Sequence, residues 1–306
     1  MLHICKRVLN MNIGIGLKHD TYTPEAYAYA SFLKDKGWHV QLALEELLDD
    51  GLDAHIYVMG IRPFFLKRKR KELVEIHEYQ SLSTPNFAKA KDLTKRLLNK
   101  KPSARIFLNS TVKDGLGFSD DKPYLLRDMG VDNTLFLPAP RNPRFDLIYC
   151  GSIGRAGLVQ QLLRLAKIGL RLLIVGDVPA SVISRFSQLT HVEFSGRVGR
   201  HELPEIYQQA RAGLNFTPDI YPFNIQTSTK TLEYCAAGLG VVSNRYEWAL
   251  DFSAARNAEF LWVEKIESKE DFDNFNFSSI EVHDLEWSKI LSNIELDRFL
   301  VETINK

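Results

Sequence analysis

Residues 223–244 read FNIQTSTKTLEYCAAGLGVVSN, and the rest of the chain is organised around them. Gln226, Thr227, Ser228 and Thr229 form a polar run of the kind that caps helices, so a short helix is expected to follow. Gly238 closes that helix, and Val241-Val242 starts a strand at once. Lys230 and Glu233, three residues apart, share one face of the first turn. A lysine there opposes the partial positive charge of the helix N-terminus. An anion docked on the free N–H groups would remove that conflict and give the lysine a partner. The plainer alternative is that Lys230 and Glu233 pair with each other, for about 0.2–0.5 kcal/mol.

A chain of 306 residues suits two domains better than one. Its 45% hydrophobic and 25% charged residues are those of an ordinary globular protein, which excludes fibrous and disordered classes. Residues 1–140 hold 21 Lys and Arg against 17 Asp and Glu, and the remainder 18 against 21. The first half is therefore mildly basic and the second mildly acidic, too little of either for a nucleic-acid binder. Three unpaired-looking cysteines, Cys5, Cys150 and Cys235, argue against a disulfide framework or a zinc site and fit a reducing cytoplasm. No stretch approaches the ~18 apolar residues of a membrane span. Met1 to Asn10 is too short and interrupted for a secretion signal, and Met11 directly precedes the first strand.

Outward from the opening stretch, strands and helices alternate, the pattern of parallel sheets with helices on both faces. Strands are expected at Asn12 to Leu17, Trp38 to Leu42, Ala54 to Met59, Leu73 to Ile76, Arg105 to Leu108 and Tyr124-Leu125. The pattern restarts with strands at Phe145 to Cys150, Leu170 to Val175, Val192 to Gly196 and Ala212 to Phe216. Pro24 opens the first helix, where its missing N–H costs nothing, and Gly37 closes it. Gly151-Ser152-Ile153-Gly154-Arg155 makes a tight strand-to-helix turn whose amides can face a phosphate, although glycine is welcome at any such junction. His77 and Glu78 fall at the end of the expected fourth strand, and ligands of open α/β sheets bind at the carboxyl ends of strands. Lys18 and His19, in the first strand-to-helix loop, line the same predicted opening. A strand-end histidine bonded to backbone is the equally good structural account of His77.

The pattern S-x-K-x-x-E-Y-x-A-x-G over Ser228 to Gly238, followed by V-V, resembles the donor-binding segment of the retaining, family-four ("group 1") glycosyltransferases of the GT-B fold. Two further landmarks are similar: GVDNTLFLP at residues 130–138, and the helix around Tyr207. The resemblance implies an α/β GT-B architecture, two Rossmann-like domains facing each other across a cleft. It implies residues 1–140 on the acceptor side, residues 141–285 holding the nucleotide sugar, and residues 286–306 as a final helix crossing back to the first domain. It also implies that Lys230 contacts the donor diphosphate and that Glu233 takes the ribose hydroxyls. Gly151, Ser152, Gly154 and Arg155 would then cradle the diphosphate, and His77 would contact the donor sugar. The sequence departs from the family at three places. Ile225 stands where a first glutamate is common, Arg155-Ala156 lacks the usual lysine, and Gly240 replaces a proline.

The expected activity is retaining transfer of a sugar from a nucleotide-diphosphate donor, UDP first, to a saccharide or lipid-linked acceptor of an envelope polysaccharide or glycoconjugate. No cofactor is expected. Heterolysis of the glycosyl-phosphate bond leaves negative charge on departing oxygens, which Arg155, Lys230 and helix N-termini can meet without metal. Asp271-Phe272-Asp273 lies outside any strand-helix unit and reads as surface. Five consecutive cations, Lys67 to Lys71, beside Phe64, Phe65 and Leu66 read either as a solvated run or as an anionic-membrane contact at the inner face of a membrane. Two rivals remain: a catalytically silent GT-B partner subunit, and a nicotinamide enzyme, which the absence of G-x-G-x-x-G disfavours.

Overall fold

The computed structural model describes residues 11–19, 21, 23–58, 62–65, 73–83 and 87–306. The chain divides into two compact units, 1–130 together with 285–306, and 131–284. Each is built on its own six-stranded, wholly parallel sheet. This is the α/β class that the alternation predicts.

The first unit contains β1 (Asn12–Leu17), β2 (His39–Leu44), β3 (Ala54–Val58), β4 (Val74–Tyr79), β5 (Ala104–Phe107) and β6 (Tyr124–Leu126). They lie in the order β2-β1-β3-β4-β5-β6, so the topology reverses at β1. Helices cover both faces, which is why β3, β4 and β5 are buried almost throughout rather than alternating. Helix Pro24–Asp35 starts at the proline and packs Tyr29 and Leu33 into the core. Helices Trp287–Asn293 and Leu296–Ile304 bring Trp287, Leu291, Leu296 and Leu300 into that same core, so the end of the chain completes the unit built by its beginning. Trp287 meets Tyr29 edge to face at 6.5 Å and acts as a packing residue.

In the second unit the strands are β7 (Phe145–Cys150), β8 (Leu172–Val175), β9 (Val192–Gly196), β10 (Ala210–Asn215), β11 (Gly240–Ser243) and β12 (Leu261–Trp262). Their order is β12-β11-β10-β7-β8-β9. The chain runs outward from β7 to β9, then returns to lay β10 on the opposite side of β7. The carboxyl ends of β7 and β10 therefore flank the point where the topology reverses, the usual ligand crevice of an open parallel sheet. Helix Thr229–Ala236 lies close against β10 because Gly213 leaves room: a Cβ there would sit 2.2 Å from the Tyr234 ring.

Candidate functional site

At the end of β7 the chain turns through Gly151, whose φ of +133° is open to glycine but not to other residues. Space gives a second reason for glycine here. A Cβ on Gly151 would come within 2.7 Å of Lys230 Cε. The side chain of Lys230 thus lies directly along the backbone of the turn, and Gly151 and Lys230 are brought together from 79 residues apart. Ser152 and Gly154 are exposed on the same turn, and the Gly154 amide points to Ser152 Oγ at 3.4 Å.

Arg155 reaches across to the end of β10. Its Nη1 donates to Phe216 O and to Thr217 Oγ1, each at 2.7 Å. Thr217 is itself fixed by Asn244, which accepts from the Thr217 amide at 2.9 Å and donates to its carbonyl at 2.7 Å. The start of helix Thr229–Ala236 is held with equal care. Ser228 Oγ accepts from the Thr231 amide at 3.3 Å and donates to Asn215 Oδ1 at 2.9 Å. Asn215, fully buried at the end of β10, donates its amide to Ser243 Oγ at 3.0 Å and Tyr246 O–H at 2.8 Å. One buried amide therefore joins β10, β11 and the helix that carries Lys230.

Lys230 and Glu233 do not form an ion pair, so the plainer reading of the opening stretch gives way. Glu233 is buried and its Oε2 accepts from Tyr207 O–H at 2.7 Å. No carboxylate among the described residues comes within ion-pair distance of the Lys230 ammonium, which sits 5.8 Å from the Tyr149 ring centroid. Desolvation first, and the neighbouring Arg155 charge second, pull its pKa down to about 8. The arrangement is two cations, a half-buried lysine and a pinned arginine, beside a glycine turn and a helix N-terminus whose first amides lack intrahelical partners. That combination offers an anion three kinds of donor at once.

Gly151, Ser152, Gly154, Arg155, Lys230 and Glu233 all lie in this region of the second unit. Tyr207, Asn215, Thr217, Ser243, Asn244 and Tyr246 complete it as supports that the sequence reading did not single out as functional. Their one local signal is a polar residue closing an apolar strand, as Asn215 closes β10 and Ser243-Asn244 close β11.

The first unit requires corrections. β4 extends to Tyr79, so His77 stands inside the strand rather than at its end. Its ring is fully buried between Tyr57 and Tyr79, and neither nitrogen makes a hydrogen bond. Nε2 stands 3.8 Å from Glu75 Oε2, too far for one. Burial, the largest influence, lowers the His77 pKa against the pull of Glu75. A ring placed this way packs the core and has no surface to offer a sugar. Glu78, expected at the same strand end, is instead fully buried and paired with the equally buried Arg127. His19 is exposed and bonds Glu46 at 2.8 Å, while Lys18 is partly buried near Glu45 and Arg62. Leu66 and the Lys67 to Lys71 run lie outside the described residues. Asp271 and Asp273 are surface, as read, with Asp271 accepting from Ser268 in a helix cap, but Phe272 between them is fully buried in the core. Among the described residues no group of three or more His, Cys, Asp or Glu could hold a metal ion.

Residues 155–272 match the model of a family described as glycosyl transferase-like, a span that includes Arg155, Lys230 and Glu233. A comparison with curated proteins found no match. Among solved structures, AviGT4, a glycosyltransferase involved in avilamycin A biosynthesis, superposes with a TM-score of 0.58 at 13% identity, covering 96% of this chain and 97% of that one. HepE of Anabaena, in complex with UDP and glucose, gives 0.54 at 11% identity, covering 96% and 97%. The UDP-GlcNAc 2-epimerase of Methanocaldococcus jannaschii gives 0.53 at 9% identity, covering 96% and 99%. At such identities the likeness is one of fold. The chain therefore has the GT-B fold, and residues 155–272 of its second unit are similar to a glycosyl transferase-like family.

Proposed function

We propose that this protein transfers a hexose, with retention at the anomeric carbon, from a nucleotide-diphosphate sugar to a saccharide or lipid-linked acceptor of an envelope polysaccharide or glycoconjugate. The observation that carries the reading is the Lys230 ammonium, set without an acidic partner along the Gly151 turn and beside Arg155. A diphosphate supplies the missing negative charge, and it would draw the lysine back to full protonation. The UDP of the HepE complex supports a UDP-sugar as the first donor to try. Because the same fold carries an epimerase, fold alone does not choose between transfer and epimerisation. The family match over residues 155–272 favours transfer.

In this reading Glu233 accepts the ribose hydroxyls while Tyr207 holds its other contacts in place. Lys230 and Arg155 stabilise the diphosphate as the glycosyl-phosphate bond breaks, so the step needs no metal. The acceptor hydroxyl attacks from the face the leaving group vacates and gives its proton to the departing phosphate oxygen, without a strong enzymatic base. A position on the cytoplasmic face of a membrane suits a lipid-linked acceptor.

Replacing the lysine tests this. Lys230→Ala should lower donor affinity about 10- to 100-fold, the worth of a charged hydrogen bond, and depress turnover with it. Wild-type donor affinity should also fall as the pH rises past about 8, where the free lysine loses its proton. Turnover should persist in EDTA. Unchanged kinetics in Lys230→Ala would remove the assignment, and binding without turnover for every sugar nucleotide would leave a silent partner subunit.

A further inference from the structure

Helix Ala88–Leu98 carries its polarity the wrong way round for a surface helix. Its Asp92 and Lys95 side chains are only 12% and 13% exposed, pair at 3.3 Å, and Asp92 also accepts from the Ser83 amide at 3.2 Å. Leu93, Leu97 and Leu98 meanwhile face solvent at 47%, 69% and 46% exposure. Leu93 and Leu97 are one turn apart and form a stripe, with the exposed cations Lys91 and Arg96 to either side.

The neighbouring segment extends the stripe. Phe64 N donates to Leu98 O at 2.8 Å, and Lys100 N donates to Arg62 O at 2.7 Å. This places Phe64 and Phe65, 63% and 69% exposed, beside the helix. Five large exposed apolar side chains and two exposed cations thus lie on this helix and on the segment hydrogen-bonded to its end, where single scattered residues would be ordinary.

We propose that this surface is a docking face for an anionic lipid bilayer, with the leucines and phenylalanines entering the interface and Lys91 and Arg96 meeting lipid headgroups. Charge decides between occupants. An isologous contact with a second copy would set Lys91 and Arg96 against their own images. A negatively charged bilayer turns the same charges into attraction, and an in-plane helix with apolar stripe and basic flanks is the shape that interface takes. The inference rests on the reading of a lipid-linked acceptor for its purpose, but not on the donor chemistry.

The test is co-sedimentation of the full chain with vesicles of phosphatidylcholine alone, or mixed in equal parts with phosphatidylglycerol. Binding should need the anionic lipid and weaken with salt. Leu93→Gln/Leu97→Gln should bind at least about tenfold more weakly. Lys91→Gln/Arg96→Gln should lose roughly fivefold per charge. All these positions are exposed, so thermal unfolding should not shift. Failure of the wild type to bind mixed vesicles, or undiminished binding by the leucine variant, would overturn the proposal. So would a concentration-dependent dimer that the leucine variant abolishes, since the face then belongs to a second copy. Turnover on a soluble saccharide acceptor is measured in parallel. Absence of turnover both there and on a lipid-linked acceptor, beside intact vesicle binding, would overturn the transferase reading alone.

Discussion

The two units bury comparable polar clusters near the carboxyl ends of their sheets and treat them in opposite ways. In the second unit Asn215, Ser228, Ser243, Thr217, Asn244 and Tyr246 form a closed set of hydrogen bonds, and Lys230, which makes no ion pair with a described residue, stays partly exposed beside Arg155. In the first unit charge is sealed inside. Arg127 and Glu78 are fully buried, and Glu25 is 1% exposed. Arg127 is flanked by the rings of Trp287 at 5.0 Å and Tyr29 at 5.7 Å. Glu25 Oε1, Glu78 Oε2 and Arg127 Nε make no hydrogen bond. A satisfied neutral network fixes geometry and leaves charge for a ligand. A sealed ion pair holds its charge for itself, and its half-made hydrogen bonds make it sensitive to the loss of either partner.

The largest effect expected from this contrast is on stability. Arg127→Met leaves Glu78 buried without a counter-charge and should cost about 3–5 kcal/mol in urea unfolding. Adding Glu78→Leu should recover most of that loss, because replacing both charges removes the burial penalty along with the attraction. A single variant within about 1 kcal/mol of wild type would mean that the pair is not sealed as described.

A smaller effect concerns pH. Burial first, and the Glu78 charge second, raise the Glu25 pKa to about 7 from its ordinary 4.5, against the opposing pull of Arg127 and Gln80. A carboxyl raised in the fold favours folding while it stays protonated in both states, below about pH 4.5. That contribution is lost as the pH rises through about 7. Glu25→Gln should therefore be more stable than wild type at pH 8, by something on the order of 2–3 kcal/mol, and level with it at pH 4.5. A difference that does not change between those pH values would assign Glu25 an ordinary titration.

The same contrast explains what the sequence discloses. Alternation of apolar runs with capped helices announces two parallel sheets, and Asn12–Leu17 and Phe145–Cys150 are readable to the residue because each is a short, mostly apolar run. The capped helix start that carries Lys230 and Glu233 is legible because its spacing and cap are local. His77 and Glu78 were misplaced for the converse reason. Polar residues suggested that the strand had ended, whereas Arg127, 49 positions on, makes Glu78 a buried residue. Helix Ser110–Leu116 offers only Val112 and Leu116 as an apolar signal, although Asn109 caps it, accepting from Val112 N at 2.9 Å. Asn215, Ser243 and Tyr246 meet only in three dimensions, from strand ends that look unremarkable one at a time.

The smallest effect tests whether the second unit's supports act through geometry alone. Tyr207 is fully buried, and its hydroxyl donates to Glu233 Oε2 at 2.7 Å while its ring meets Tyr234 edge to face at 5.4 Å. Tyr207→Phe keeps the ring and removes only the hydrogen bond, so the fold should hold to within about 1.5 kcal/mol. If Glu233 takes the ribose, its carboxylate loses one restraint, and a nucleoside-diphosphate sugar should bind several-fold more weakly. A ligand with the diphosphate and no ribose should bind as before, because Lys230 and Arg155 are untouched. Glu233→Gln should show the same selectivity, more strongly, since it alters the group that meets the hydroxyls. Titrating both ligands against both variants separates the outcomes. Equal losses for the two ligands would make Glu233 and Tyr207 a packing pair that supports the helix, and would leave the nucleotide to be recognised elsewhere. A loss confined to the ribose-bearing ligand would place the sugar ring of the nucleotide at Glu233 and make Tyr207 its positioning residue.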